Sequence, residues 1–492
     1  MHVAIPTMMA SLGATLDQIQ WVLTAYTIVQ TVLIPSVGWL GDRLGDRNLF
    51  LGSLAVFTAG SLLCSVSWDA GSLISFRVVQ AIGAGPLMGV SMSLMYTSFP
   101  PQQRGLAMGL FMTGWAIGPF FGPLVGGYLT EHVNWRAIFY LNFPAGLAAL
   151  VAGSLLLPRK AATQRRTAFD LGGFLTLTGG TVALLLALTR GQEWGWTSGP
   201  VVGLFFSTLL FLSLFLWIEL RSRNPFVQLR HFHSFNFSLA NLIIFFRVAG
   251  FRGGNFLVAL FLQRGLHYAP MQAGLFLLPG AVITATLSPL AGIASDRFNP
   301  RVPVFVGLLV LVGALYGLSQ MTLWTTMAMI FSLIALKSVG QSLLNGPLNT
   351  IALNALPEGE TRMGSGIMGL VRGLGDAFGI ACVTVLLERY TFLNLGAMSP
   401  AVDGRLSGPV RDETLSQMES MLLGAGERLA GVADKATSLL GYSLINQAVT
   451  QSYHDLFFMI GTLYFVMIWL VPLLRSEAAG ARARAGHGGA GH

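Results

Sequence analysis

The sequence predicts an all-α membrane protein that crosses the bilayer many times, with two six-helix bundles and two extra helices linking them. Three observations carry that prediction. Charged residues make up 10% of the 492 residues and hydrophobic ones 53%, against about 25% charged in ordinary soluble chains. With a mean hydropathy of +0.65, such a surface cannot be kept in water. That excludes a soluble enzyme, a disordered chain and a secreted disulfide scaffold. Second, thirteen stretches have the roughly 20 apolar residues that a membrane-spanning helix needs. Third, motifs of the first half return in the second at a near-constant offset, the mark of a duplicated bundle.

Taken in order, the spans are expected near 19–40, 48–67, 72–99, 105–130, 137–157, 170–189, 200–219, 236–263, 271–294, 302–320, 324–346, 365–388 and 456–474. Ahead of them Met1–Leu12 is apolar but too short to cross alone. It reads as the second half of a helix, which gives fourteen in the parent plan with the first truncated. Residues 1–157 then form the N-terminal bundle, 158–234 the two linking helices, and 235–475 the C-terminal bundle with a long outer loop at 389–455. Within that loop, 413–440 reads as amphipathic surface helix or as a spacer without chemistry. Residues 476–492 read as a disordered basic tail.

Lys and Arg set the orientation, since they concentrate in cytoplasmic loops. With 41–47 placed inside, sixteen of the 29 basic residues fall in cytoplasmic segments and three, Arg136, Arg190 and Arg264, in short outer loops. Five lie in the long outer loop. The remaining five stand inside spans: Arg77, Arg247, Arg252, Lys337 and Arg372. The C-terminus is therefore expected in the cytoplasm. The net charge of +8 reads as this topology signal, with no nucleic acid implied.

The repeat is explicit. Gly38–Arg43 (GWLGDR) and Gly292–Arg297 (GIASDR) both end a span on the cytoplasmic side, and Asp42 and Asp296 are 254 positions apart. Arg104 and Arg362, at a spacing of 258, each open a glycine-rich helix. Asp42 and Asp296 can pair with a basic side chain or with the N-terminal dipole of a neighbouring helix. Gly38, Asp42, Arg43, Gly45, Arg47, Asp296 and Arg297 are therefore the candidate conformational gate, where Gly45 permits a tight turn. A plain turn with positive-inside charges is the bland alternative.

Charge inside lipid is functional by default, because it costs at least about 2.5–3.5 kcal/mol. Arg77 should face the interior with Gln80 along the same side. It either controls proton occupancy of a nearby acid or bonds helix carbonyls. Arg372 and Asp376 are four apart and share a helix face. They read either as a self-neutralising pair or as proton-linked groups. Lys337 stands beside Gln341 and Asn345, read as a cytoplasmic-side patch; with Arg252, Asn255 and Gln80 it is a candidate for the substrate cavity, although Arg247 and Arg252 could equally snorkel or cap. Gly114, Gly118, Gly122 and Gly126 recur every four residues, and Pro119 and Pro123 interrupt them. That pattern reads as a hinge with a smooth stripe for another helix.

These segments resemble the major facilitator superfamily, in particular its fourteen-helix drug/proton antiporters. Gly38–Arg47 is similar to that superfamily's motif A, the Arg77 segment to motif B, and Gly118-Pro119 to motif C, which is associated with exporters. Trp135–Gly146, Met271–Pro279 and Leu356–Gly366 also resemble runs of the group. Two departures stand out: the acidic residue of the family's first helix is absent, and Asp46 occupies a position that is usually basic. The resemblance implies proton-coupled export of amphipathic drugs by alternating access in a bacterial inner membrane. It implies no enzyme chemistry. Expected partners are a small-molecule substrate, protons and the bilayer; no cofactor or metal is called for, an adaptor protein is left open, and a monomer is expected. The interior excess of bases favours neutral or anionic compounds. A lipid-like flippase or importer of the same fold, and an inactive truncated or scaffold product, stay open as alternatives.

Overall fold

The computed structural model describes residues 4–158, 169–222, 224–266, 268, 270–322, 325–357, 360–398, 415–417, 420–421 and 432–474. Among them the chain is helical throughout. In order come α1 (Ile5–Leu12), α2 (Leu16–Leu33), α3 (Val37–Leu44), α4 (Asp46–Ser65), α5 (Ala70–Ser98), α6 (Arg104–His132), α7 (Ala137–Tyr140) and α8 (Asn142–Leu156). The linking pair is α9 (Leu171–Trp194) and α10 (Gly199–Arg221). Then follow α11 (Phe235–Leu260), α12 (Pro270–Arg297), α13 (Arg301–Leu318), α14 (Met327–Asn354), α15 (Thr361–Met398) and α16 (Val432–Ile468).

Twelve candidate spans among the described residues are long and apolar enough to cross a membrane. Helix α6, at 29 residues, is as long as any of the N-terminal ones. Each of the thirteen expected stretches thus coincides with a long helix. Two boundaries need correction. The outer loop expected at 389–455 is cut from both sides, because α15 runs on to Met398 and α16 already begins at Val432. Polar side chains hold these extensions together: Asn394 donates to Asp455 at 3.0 Å and to Ser452 at 3.1 Å. Half of the surface helix expected at 413–440, the tail 476–492, and Arg159, Lys160, Arg165 and Arg166 lie outside the described residues.

Local sequence explains where the helices start and stop. Thr15 and Gln18 form a capping box on α2, and Asp69 and Ser72 do so on α5. Asp170 accepts from the Gly173 N–H at 2.8 Å to cap α9. Between α2 and α3 the segment Ile34–Ser36 tightens into a 3-10 turn at Pro35, which lacks a donor, yet the span continues to Leu44. Gly45, with φ 77°, then makes the turn into α4.

Packing follows small residues, as expected where lipid supplies no hydrophobic drive between helices. Helix α5 lies against α2 and α4, α4 against α8, and in the second half α11 lies against α15, α13 against α14, and α16 against α13 and α15. The two sets meet along α6–α12 and along α15 with α2, α3 and α5. Helix α9 touches α2, α10 and α15 together. At its end Arg190, which the loop assignment had placed outside, is buried and reaches Asp17 at 2.6 Å and Glu193 at 2.7 Å; Gln192 donates to Glu388 of α15 at 3.2 Å. The rims of α8, α10 and α13 expose large apolar side chains such as Leu156, Phe206 and Val306. In water this would be a fault; in a bilayer it is the lipid contact.

Candidate functional site

The two sets of helices close on each other at one end, the end of the duplicated Gly-x-x-x-Asp-Arg segments. Helices α6 and α12 touch backbone to backbone there. A Cβ on Gly109 would lie 2.8 Å from Pro289 Cα, and one on Gly105 or Gly292 would collide with the opposite backbone. Asp296 caps α6 from across this contact: its carboxylate accepts from the N–H groups of Gly105 at 2.7 Å and Leu106 at 2.8 Å. On the other seam, Arg362 in the first turn of α15 donates to Asp42 at 2.7 Å and approaches Asp46 at 2.5 Å. Ser365 donates to the Gly89 carbonyl at 3.0 Å beside it. Gly38 is fixed by Met363, whose Sδ would sit 3.0 Å from an added Cβ. Tyr96 of α5 donates to Asn354 of α14 and accepts from Arg104 at 3.2 Å.

Three of the expected gate residues lie outside this contact. Arg43 stacks over its neighbour Trp39 at 5.3 Å, Arg47 donates to the Ser154 carbonyl at 2.7 Å, and Arg297 is exposed at the end of α12. The basic partner of both Asp42 and Asp46 is Arg362, which sequence reasoning recorded only as a helix opener. Its spacing from Arg104 was the available signal. Asp46, the departure from the usual motif, is thereby accounted for as a second carboxylate on the same guanidinium.

Away from that end the glycines of α6 lose their close neighbours. Thr113 donates to the Ala285 carbonyl at 3.0 Å. Beyond it, a Cβ added to Gly114, Gly118, Gly122 or, on α12, Gly274 would meet no described atom within 4 Å, and Gly126 meets only Ile138 at 3.8 Å. Among the described residues the expected stripe for a partner helix therefore meets no such helix. The close-packed glycines of α6 are Gly105 and Gly109, in the first and second turns of the helix. The side chains of Pro119 and Pro123 lie outside the described residues.

In the N-terminal set Arg77 is buried and held by neutral groups. Its Nη1 donates to Gln80 at 2.6 Å, its Nε reaches the Val22 carbonyl at 3.4 Å, and its guanidinium lies 3.8 Å from the Tyr26 ring. Gln80 in turn donates to Ser61 at 2.5 Å. Among the described residues no carboxylate forms an ion pair with Arg77.

The other interior charges converge between α11, α14 and α15. Arg372 and Asp376 share a face but do not pair. Arg252 of α11 takes Asp376 instead, with Nε–Oδ1 2.7 Å and Nη2–Oδ2 3.3 Å. This fork-on-fork geometry outcompetes an intrahelical pair because both partners meet in one plane. The pair is open, with side chains 36% and 26% exposed, and Arg252 looks across to Trp115 of α6 at 5.8 Å. Arg247, at 4% exposure, neither snorkels nor caps: it donates to Asn345 at 2.7 Å. Arg372, also at 4%, donates to Asn349. Lys337 donates to Asn255 at 2.5 Å. Lys337 and Asn345 straddle the middle of Met327–Asn354, so this patch is central in its helix, where a cytoplasmic-side position was expected.

The profile of the family described as Major Facilitator Superfamily matches residues 2–380. The chain is 31% identical over 391 residues to the uncharacterized MFS-type transporter YhcA of Bacillus subtilis (strain 168), covering 80% of this chain and 73% of that protein. It is likewise 31% identical over 395 residues to the multidrug export protein EmrB of Haemophilus influenzae, at 78% and 76% coverage. Among solved structures, the human organic anion transporter MFSD10 (TETRAN) superposes with a TM-score of 0.56 at 14% identity, covering 95% of this chain and 88% of that one, which speaks to the fold alone. With its duplicated Gly-x-x-x-Asp-Arg segments and thirteen long helices in place among the described residues, the chain belongs to the Major Facilitator Superfamily, as a multi-pass membrane transporter.

Proposed function

We propose that the protein is a proton-coupled exporter of amphipathic small molecules, working by alternating access in the bacterial inner membrane. The two helix sets, 1–157 and 235–475, rock about the central cluster, and α9 and α10 ride between them. The closed end faces the cytoplasm together with the C-terminus, so the conformation described above is the outward-open one. A single observation supports this reading most: the α6–α12 seam is shut backbone to backbone at Gly105, Gly109 and Gly292, whereas the later α6 glycines Gly114, Gly118 and Gly122 meet no described atom. Similarity to a multidrug export protein supports export as the direction.

In this mechanism Asp376 is the proton carrier. It is a partly exposed carboxylate paired with Arg252, and a proton from outside breaks that pair. A proton entering through 100 mV supplies roughly 2.3 kcal/mol. A substrate that donates a hydrogen bond to charged Asp376 competes with that proton, which is the requirement for antiport. Arg372 behind it and Arg77 in the other half fix the local electrostatics. Gly38, Asp42, Asp296 and their partner Arg362 form the cytoplasmic gate. Gln80, Asn255 and Lys337 line the two walls.

The test is transport by the purified full chain in proteoliposomes with an imposed pH gradient and a panel of amphipathic dyes and antibiotics. Substrate movement against its gradient, collapsing when a protonophore is added, is expected. Movement unaffected by collapse of the gradient would sink proton coupling.

A further inference from the structure

The C-terminal half carries more buried positive charge than its own acids neutralise. Arg247 and Arg372 are both more than nine-tenths buried, and the side-chain oxygens they bond, on Asn345 and Asn349, belong to neutral amides. Those two asparagines are one turn apart on α14, so the guanidinium groups lie side by side, close enough to repel one another. The nearest carboxylate, Asp376, is engaged by Arg252 through both oxygens. Three donors of this cluster have no hydrogen-bond partner among the described residues: Nε of Arg247, Nε of Arg372 and Nδ2 of Asn349. Buried donors are normally satisfied, and two like charges out of water are costly unless a counter-charge joins them.

We propose that Arg247, Arg372 and Asn349 form a binding site for a singly charged anionic group. Guanidinium forks suit a carboxylate, and the paired N–H donors suit a halide-sized ion. The Arg252–Asp376 pair, half-open to the cleft, stands at the entrance. Two sources share this chemistry: a small inorganic anion from the medium, or the acidic group of an exported compound. The site is readable without transport, so its failure and that of the export reading are separable.

The test uses the full chain in nanodiscs at fixed pH and ionic strength. Gluconate is replaced stepwise by chloride in one series, and 1-naphthoate is added in a second, with thermal unfolding as the readout. A saturable rise in the melting temperature is expected in at least one series. The half-saturating concentration should rise about tenfold or more in Arg372→Gln, where one charge-assisted partner is gone, and return toward the wild-type value in Arg372→Lys. Saturation by chloride assigns the site to a resident inorganic ion, and saturation by naphthoate alone assigns it to an acidic substrate. Melting temperatures of the unsubstituted protein that are the same in all anions would overturn the proposal. So would a salt effect that never saturates. Because these outcomes concern the unsubstituted chain, the proposal stays falsifiable even if Arg372→Gln does not fold.

Discussion

One guanidinium, that of Arg362, joins α15 to both Asp42 and Asp46. Charge-assisted bonds of this kind contribute about 1–3 kcal/mol before solvent screening, and these groups are partly exposed. Arg362→Ala should therefore shift the conformational balance roughly tenfold toward opening of this end, seen as faster labelling of a cysteine placed beside Gly41. Asp376→Asn cannot bind the transported proton, so export should lose its dependence on external pH; an unchanged profile would return Asp376 to a structural role. His231, on the 3-10 turn Leu229–His233, lies outside the spans. Burial holds its imidazole below the ordinary range, outweighing the Glu360 carboxylate 3.2 Å away, and Arg230 lowers it further. The folded form keeps it neutral, so its contribution to stability is present above the ordinary value of 6.5 and is lost as the pH falls below it. Acid should lower the melting temperature, and His231→Gln should reduce that slope. At this scale the sequence told which charges lie in the interior but not how they pair: Asp376 chose Arg252, 124 positions away, over Arg372, one turn away. Spacing along one helix carries no information about the helix opposite.

Helix α6 is one continuous element with two characters. Its first turns are jammed against α12, and its later glycines Gly114, Gly118 and Gly122 meet no described atom. Valine substitutions should separate the two. Gly109→Val forces the Ser288-Pro289 backbone away, an overpacking cost of about 1–3 kcal/mol, and should lower the melting temperature. Gly118→Val meets nothing in this conformation. It should leave the melting temperature unchanged while cutting export, because the clash arises only when the cleft closes. Loss of export with normal folding is the decisive combination, measured on one preparation. Elements were well legible in the sequence: the apolar runs coincide with helices, and the Gly45 turn sits where α3 ends and α4 begins. The failures came at α15 and α16, whose outer turns are polar. There, hydrogen bonds from Asn394 to Ser452 and Asp455 sustain helices that hydropathy alone ends too soon.

For the molecule as a whole, the duplication was visible in sequence as paired Asp and Arg positions, and the structure brings Asp42, Asp296 and Arg362 into contacts between the halves while Arg104 bonds Tyr96 in its own half. The assignment of sides is open to direct measurement. Trp115→Cys, facing the cleft beside Arg252, should react with a membrane-impermeant maleimide added outside intact cells, and the reaction should slow when substrate is bound. Protection from the outside reagent at all times would reverse the orientation. The added pair α9–α10 was expected only as a linker, and hydropathy could not disclose its place. Helix α9 leans on α2 and α15 at once, with Arg190 tied to Asp17 and Gln192 to Glu388. A greasy passenger trying to slip sideways into the bilayer between α2 and α15 would meet that helix as a shutter, so this flank would leak only if α9 lost its hold on both neighbours.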